Sequence, residues 1–352
     1  MSELAPGNTR RPRQMSVEDY VAGVRGGDRS ILARAITLVE SHSRRHEAQA
    51  QEVLHRILPF TGLAKRVGIT GVPGVGKSTF IESFGCHLVE KGHKLAVLTI
   101  DPTSSRSGGS ILGDKTRMER LCQLPEAFIR PSPTGMSLGG VARRTRETML
   151  LCEAAGFDTI LVETVGVGQT EITMRSMVDF FLLLLLPGAG DELQGIKKGI
   201  VEMADLVAIN KAEGENRMRA ERARQDQAMA LHYLQPATNE WPTEVLLCAG
   251  LTGEGIPEIW ERIEKFYATL APKGVIAHRR QEQAQEWLNA LIEDELKRRF
   301  YYDPRVKARL PEVRQALMRG EITPVRAAES LLAAHEAVDS GDAAKAGTSQ
   351  EL

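Results

Sequence analysis

Hydrophobic residues follow one pattern up to about residue 60 of this chain and a different one beyond it. Between Ser16 and Pro59 the apolar positions recur every three or four residues, as on one face of an amphipathic helix. This spacing predicts a short helix capped by Ser16, a second over 29–41, and a third over 48–58 that stops at Pro59. Residues 16–62 are therefore predicted to form a helical N-terminal extension.

Short apolar runs replace this pattern in the middle of the chain. Seven of them alternate with helical segments, at 66–70, 95–100, 127–130, 159–164, 180–186, 206–210 and 244–248. Strands that alternate with helices predict the α/β class, with a mostly parallel sheet covered by helices on both faces. Ligands of such sheets bind at the carboxyl ends of the strands, so the residues that follow each run are the candidates for a functional site.

Helical periodicity returns after Pro272. It predicts helices from about Arg279 to Phe300, Pro311 to Met318 and Pro324 to Ala337. We therefore predict an α/β core over 63–273 and a helical C-terminal arm over 274–337. Residues 1–15 and 338–352 follow neither pattern and are predicted to be disordered.

Composition narrows the classes of partner. The 45 basic and 46 acidic residues give a net charge of −1, so no overall charge attracts nucleic acid or an anionic membrane. The longest apolar run, 180–187, is far shorter than the roughly 20 residues that cross a bilayer, and the N-terminus lacks the apolar core of a secretory signal. The four cysteines show no metal or redox spacing. We expect a cytoplasmic protein with neither a nucleic-acid nor a membrane partner.

The stretch GVPGVGKST matches G-x-x-x-x-G-K-[ST] in full and lies between a predicted strand and a predicted helix. Glycines in such a loop let backbone N–H groups surround phosphate, aided by the positive end of the helix dipole. The lysine adds charge near the β- and γ-phosphate oxygens, and the serine hydroxyl can bind Mg²⁺. The predicted nucleotide contacts here are Gly71, Val72, Pro73, Gly74, Val75, Gly76, Lys77, Ser78 and Thr79.

A second motif indicates which base is bound. LVAINKAEG places Asn210, Lys211 and Glu213 at a strand end, in a pattern that resembles the Asn-Lys-x-Asp signature of GTPases. An acid at this place accepts two N–H groups of guanine, a donor pair that adenine lacks. The next strand leads into CAGLTGEG, which resembles the second base loop of GTPases and puts Ala249, Gly250 and Leu251 beside the base. Guanine is therefore predicted, although the acid is one methylene longer than Asp.

Acidic residues follow two further strands. Asp101 ends the second run, Asp114 lies in the glycine-rich loop beyond it, and Glu163 ends the fourth run. Mg²⁺ prefers hard oxygen ligands, so these acids and Ser78 are the candidate metal ligands. Asp114 could instead hold the attacking water, and a helix-capping role is the alternative for both aspartates.

The stretch DTILVETVGVGQTE permits two interpretations. Its paired glycines suggest a dinucleotide loop, but Glu171 stands where the third glycine of G-x-G-x-x-G belongs, and the first βα turn is already the P-loop. The other interpretation is the sensor loop of a nucleotide hydrolase, in which Glu163 orients Mg²⁺ or its water and the Gly166 amide bonds the γ-phosphate. Gln169 is a candidate for positioning water by proximity. The predicted catalytic residues are Lys77, Asp114, Glu163 and Gln169.

Six blocks occur in an order that resembles the MeaB/ArgK family: GVPGVGKSTF, GGSILGDKTRM, FIRPSP, LLCEAAGFDTILVETVGVGQTE, GDELQGIKKG and INKAEG. These are SIMIBI-class P-loop GTPases that act as chaperones of adenosylcobalamin-dependent acyl-CoA mutases, and the resemblance covers roughly 18–335. It implies that Lys77 and Ser78 hold phosphate and Mg²⁺ and that the three acids form the hydrolysis cluster. It also implies a homodimer through the C-terminal helices and a mutase-contacting loop over 188–198 with Asp191, Gln194 and Lys197.

The resemblance implies GTP hydrolysis that is slow until a mutase partner completes the site. The chain lacks Asp-x-His-x-x-Gly, so we expect no cobalamin bound through a histidine loop; the expected ligands are GTP or GDP and Mg²⁺. One alternative is a P-loop kinase or ATPase that phosphorylates a transport-system protein, with Glu163 or Asp114 as its base. Another is a metallochaperone GTPase, which would need Cys or His clusters near the switch loops.

Overall fold

The structure, a computed structural model, describes residues 15–41, 43–100, 118–131, 138–164, 169–188 and 198–336. The chain divides into two compact units, one up to Gln283 and one from Ala284 onward. The predicted domain limits stay predictions, and the disorder predicted for 1–15 and 338–352 concerns residues outside the described ranges, apart from Met15.

Seven strands form one sheet in the order β3-β2-β4-β1-β5-β6-β7, and every neighbouring pair is parallel. They are β1 Lys65–Gly71, β2 Leu95–Ile100, β3 Ala127–Arg130, β4 Thr159–Thr164, β5 Phe180–Leu185, β6 Leu206–Ile209 and β7 Glu244–Leu247. The predicted α/β class is confirmed. The central strands are buried along most of their length because helices cover both faces of the sheet.

Twelve helices are seen among the described residues, and eight of them precede residue 240. These are α1 Val17–Arg25, α2 Arg29–Glu40, α3 Arg44–Ile57, α4 Lys77–Glu90, α5 Leu138–Ala154, α6 Gln169–Arg175, α7 Lys198–Val201 and α8 Arg217–Leu231. The other four are α9 Ile256–Leu270, α10 Val275–Tyr302, α11 Pro304–Met318 and α12 Pro324–Glu336. None of the described helices combines the length and the apolar content that crossing a bilayer requires.

The N-terminal extension begins as its sequence predicts. The Ser16 side chain accepts a hydrogen bond from the Asp19 backbone N–H, and the Asp19 carboxylate accepts one from the Ser16 N–H. This reciprocal pair satisfies backbone groups that the first turn of α1 cannot pair internally. α3 starts at Arg44, four residues earlier than predicted, because the helical pattern continues through a polar stretch.

Alternate residues of the strands face two separate cores. Val67 and Ile69 of β1 pack in one cluster with Phe80 and Phe84 of α4, whereas Val162 of β4 packs in the other. This alternation follows from the two-residue period of a strand. Since Leu161 belongs to the α4 cluster, the next side chain on that face, Glu163, points toward the start of α4.

One helix start in the C-terminal segment was predicted wrongly. α11 begins at Pro304, and Pro311, the predicted start, lies inside it. Asp303 caps the helix by accepting a hydrogen bond from the Arg305 N–H at 2.8 Å, and Pro304 occupies a first-turn position that needs no N–H donor. Pro311 removes only one intrahelical bond, whose acceptor would be the carbonyl of exposed Lys307.

Candidate nucleotide-binding site

The loop between β1 and α4 has a backbone that only glycine adopts easily. Gly71 and Gly76 have φ of 153° and 93°, and a Cβ on Gly71 would lie 2.5 Å from the Leu184 carbonyl oxygen. A Cβ on Gly76 would lie 3.0 Å from the side-chain nitrogen of Asn210. The predicted P-loop is thus a tight turn that ends at the N-terminus of α4, where unpaired backbone N–H groups favour an anion.

Lys77, the first residue of α4, turns back over this loop. Its Nζ donates to the backbone oxygen of Gly71 at 2.6 Å and to that of Val72 at 3.4 Å. Burial lowers the pKa of Lys77, while the negative charges of Glu163 and Glu171 act to raise it. The ammonium is therefore held at the mouth of the loop by backbone carbonyls, within the electrostatic influence of two carboxylates.

Ser78 and Glu163 meet at the same edge of the sheet. The Ser78 hydroxyl donates to Oε1 of Glu163 over 3.5 Å, and the glutamate is buried at the end of β4. A hydroxyl and a carboxylate are the oxygen types that Mg²⁺ prefers, so this donor pair fits that ion. Among the described residues no group of three or more His, Cys, Asp and Glu side chains forms a metal cage.

Asn210 joins the P-loop to the loop after β7. Its side-chain nitrogen donates to the Val75 carbonyl at 2.8 Å, and its side-chain oxygen accepts from the Gly250 N–H at 2.9 Å. Gly250 cannot be replaced easily, because a Cβ there would lie 3.0 Å from the backbone of Phe80. A single buried amide therefore fixes the spacing of the phosphate loop and the candidate base loop.

Two of the residues predicted to lie at the base are next to this amide. Lys211, with a φ of 59°, donates from Nζ to the Gly74 carbonyl at 2.9 Å. Oε2 of Glu213 is buried, and it accepts no hydrogen bond from the part of the chain that the structure describes. A buried carboxylate oxygen normally has a donor, so this one fits a ligand that brings N–H groups, as guanine does.

The remaining predicted residues divide into those that the structure describes and those that lie outside the described ranges. Ala249 is buried beside Gly250, while Leu251 is 76% exposed, and Pro73 and Thr79 are exposed. Gln169 is the first residue of α6, but its side chain is not described. The others lie outside the described residues and stay predictions: Asp101, Asp114, Gly166, Asp191, Gln194 and Lys197.

Sequence reasoning missed two features of this edge. Thr70 and Thr164, fully buried at the ends of β1 and β4, share a hydrogen bond of 2.7 Å between their hydroxyls. Glu171 was noted as the residue in place of a third glycine and at the outward end of the sensor loop, yet its full burial and its contribution to the field at Lys77 were not predicted. The hydroxyl residues at two strand ends could have indicated the contact between Thr70 and Thr164. The sequence of a helix as short as α6 has no pattern that indicates the burial of Glu171.

Three comparisons with known proteins bear on this site. The family model described as methylmalonyl-CoA mutase-associated GTPase MeaB matches residues 32–305. A Caulobacter vibrioides protein named as a GTPase is 54% identical over 308 residues, which cover 88% of this chain and 94% of that protein. GTPase ArgK of Escherichia coli is 48% identical over 283 residues, covering 80% of this chain and 86% of its own.

A solved structure agrees with these relatives. The crystal structure of a LAO/AO transport system kinase matches with a TM-score of 0.73 and 38% identity, over 90% of this chain and 96% of that one. The family match spans well over half of the chain and continues through every strand of the sheet. The chain therefore belongs to the family of the methylmalonyl-CoA mutase-associated GTPase MeaB.

Proposed function

We propose that this protein hydrolyses GTP to GDP and phosphate and serves as a chaperone of an adenosylcobalamin-dependent acyl-CoA mutase. In this role it gates cofactor loading and protects the mutase. The observation that carries the nucleotide assignment is the buried Oε2 of Glu213, which lacks a donor among the described residues and lies beside the loops that Asn210 joins. Family membership carries the association with the mutase.

The proposed roles at the phosphate end follow from charge and position. The loop Gly71–Thr79 surrounds the phosphates with backbone N–H groups, and Lys77 places its ammonium beside the β- and γ-oxygens. Ser78 and Glu163 would hold Mg²⁺, with Asp101 and Asp114 as further proposed ligands. When bound, the ion neutralises charge on the phosphate oxygens.

In hydrolysis, water attacks the γ-phosphorus and the bond to the β–γ bridging oxygen breaks. The chain positions that water and stabilises charge on the phosphoryl oxygens, which is the main contribution of a protein to phosphoryl transfer. We assign the water to Asp114 or Gln169, and the sensing of the γ-phosphate to the Gly166 amide. Completion of the site by a partner typically raises such rates by about 10³–10⁵.

The partner side of the proposal has two parts. The loop with Asp191, Gln194 and Lys197 contacts the mutase, and cobalamin itself is bound by the mutase rather than by a histidine loop of this chain. The C-terminal helices form a homodimer. The homodimer is supported by an apolar stripe on α10 that recurs every four residues. Its members Leu288, Ile292 and Leu296 are 57%, 49% and 61% exposed.

The alternative of a kinase acting on a transport-system protein is not favoured. A kinase name belongs to one solved relative, whereas the family model and the two curated relatives described above carry GTPase names. The proposal keeps the cytoplasmic location predicted above.

The experiment that tests the nucleotide assignment is phosphate release from GTP and from ATP by the purified chain with Mg²⁺ present. We expect slow turnover of GTP and little of ATP. Preference for ATP would contradict the guanine assignment, and absence of turnover with either nucleotide would contradict hydrolysis.

A further inference from the structure

Two buried threonines, for which the proposed mechanism has no role, lie at the edge of the sheet that carries the proposed Mg²⁺ ligands. Thr70 and Thr164 are fully buried, and their hydroxyl oxygens share a hydrogen bond of 2.7 Å. Thr70 directly precedes Gly71, the first residue of the P-loop, and Thr164 directly follows Glu163. The pair therefore joins the chain just before the phosphate loop to the chain just after a proposed metal ligand.

The backbone pairing of β1 with β4 ends at this point. Its last matched residues are Ile69 and Glu163. β1 stays in register with β5 as far as Gly71, and β4 stays in register with β2 as far as Thr164. The two strands thus follow different neighbours as they leave the sheet. The hydroxyl pair links them beyond the last residues that the backbone ladder matches.

The hydroxyl pair and the proposed metal ligands lie on opposite faces of the sheet. Val162 packs in the cluster that contains residues of α6, so Thr164, two residues later, is on the α6 face. Gly68 is in close contact with α6, so Thr70, two residues later, is on that face as well. The side chain of Glu163 points to the other face, toward the start of α4. The end of β4 is therefore held from both faces.

The spacing of the two proposed Mg²⁺ ligands depends on how these strand ends are held. Ser78 is carried by the P-loop, which follows β1, and Glu163 is carried by β4; their side-chain oxygens are 3.5 Å apart. Mg²⁺ demands near-ideal octahedral geometry with ligands at about 2.0–2.1 Å. A small shift of β1 against β4 therefore changes how well both ligands reach one ion.

We propose that Thr70 and Thr164 are positioning residues, which fix the ends of β1 and β4 at the separation that Mg²⁺ needs between Ser78 and Glu163. The inference rests on the proposed function, since it concerns the Mg²⁺ site of that function. The two hydroxyls bond each other rather than the ion, and they act on the ion through the position of the strand ends. Groups that orient metal ligands in this way typically change metal affinity by roughly 10–100-fold when they are removed.

The test is the affinity of the full chain for a fluorescent non-hydrolysable GTP analogue, measured at saturating Mg²⁺ and again in EDTA. The ratio of the two affinities, here called the Mg²⁺ ratio, gives the contribution of the ion. Thr70→Val combined with Thr164→Val removes both hydroxyls and keeps the shape of the side chains. This change costs little stability, because neither hydroxyl is left without its partner. We expect a thermal midpoint close to that of the wild-type protein, an affinity in EDTA within about twofold of it, and a Mg²⁺ ratio roughly tenfold lower.

Two controls separate this role from a structural one. Thr70→Ser combined with Thr164→Ser keeps both hydroxyls but loses two buried methyl groups, so it should lower the thermal midpoint and keep the wild-type Mg²⁺ ratio. Thr159→Val changes a buried threonine at the opposite end of β4, whose hydroxyl bonds Asp158, and should also keep the ratio. A role in stability alone would instead make the Mg²⁺ ratio follow the thermal midpoint across these variants.

An unchanged Mg²⁺ ratio in the folded double valine variant would overturn the inference, and so would a ratio that falls equally in the double serine variant. Where the double valine variant does not fold, each single valine change breaks the same hydrogen bond and is judged by the same ratio. A wild-type chain that does not bind the analogue, or binds it equally with and without Mg²⁺, would overturn the proposed function or its metal site, and the inference with it. That result is read from the wild-type protein alone, so the two failures are distinguishable.

Discussion

The side-chain nitrogen of Asn210 donates a hydrogen bond of 2.8 Å to the carbonyl oxygen of Val75, which joins the end of β6 to the middle of the P-loop. The same amide accepts from Gly250 at 2.9 Å. The proposed phosphate and base contacts, which come from distant parts of the sequence, are thereby held at one fixed separation. This arrangement makes Asn210 a sensitive point for testing the site.

Asn210→Ala should weaken nucleotide binding strongly. It leaves the Val75 carbonyl and the Gly250 N–H without their partner, and each buried group of this kind costs about 1–3 kcal/mol. Titration calorimetry with GDP measures the loss. Asn289→Ala, a change at an exposed position of α10, is the matched control and should bind GDP like the wild-type protein. Equal affinities of the two variants would disprove the coupling.

Lys77→Ala should abolish GTP turnover and leave the fold intact, because the hydrogen bonds that its ammonium donates among the described residues go to the backbone of the P-loop itself. Phosphate release measures turnover, and circular dichroism measures the fold. Lys91→Ala, at the exposed C-terminal end of the same helix, should behave like the wild-type protein. Normal turnover by Lys77→Ala would remove the P-loop from the mechanism.

Glu213→Ala should reduce the preference for GTP over ATP, because it removes the buried carboxylate oxygen that we propose distinguishes guanine. Competition of unlabelled GTP and ATP against a fluorescent guanine nucleotide gives the preference. Glu213→Asp, which carries the acid usual in GTPases, should keep it, and Glu215→Ala at an exposed position should not alter it. Retention of the full preference by Glu213→Ala would contradict the base assignment.

The proposed homodimer can be tested by placing two charges on the apolar stripe of α10. Leu288→Glu combined with Leu296→Glu should convert the dimer to a monomer, since an interface cannot bury unpaired carboxylates without a large penalty. Sedimentation velocity gives the molecular mass. Glu286→Gln, at another exposed position of α10, is the control and should remain dimeric. A monomeric wild-type protein would exclude the dimer at the outset.

The sequence predicted the sheet well because each strand corresponds to a short local run of apolar residues. β2, β3 and β4 have the predicted limits to the residue, and the P-loop glycines occur where the backbone needs them. Contacts between segments that are distant along the chain could not be predicted from the sequence. Nothing near Asn210 indicates that its amide reaches Val75, because that contact depends on β1 and β6 both flanking β5.

Two further features were not predicted correctly, each for a different reason. Pro311 was interpreted as a helix start because proline favours first turns, but the stronger signal was Asp303 followed by Pro304. The burial of Glu171 was not predicted, because an acid in a short polar stretch usually faces solvent. It follows from the close packing of α6 on Gly68, which requires the folded sheet.

The central claim is that this chain is a GTPase whose activity responds to an acyl-CoA mutase. The most direct measurement is the initial rate of phosphate release from GTP at increasing concentrations of methylmalonyl-CoA mutase from the same organism, with Mg²⁺ present. We predict a saturable rise in rate, of roughly tenfold or more since partners of such enzymes complete the site. A rate that stays constant up to saturating mutase would contradict the claim.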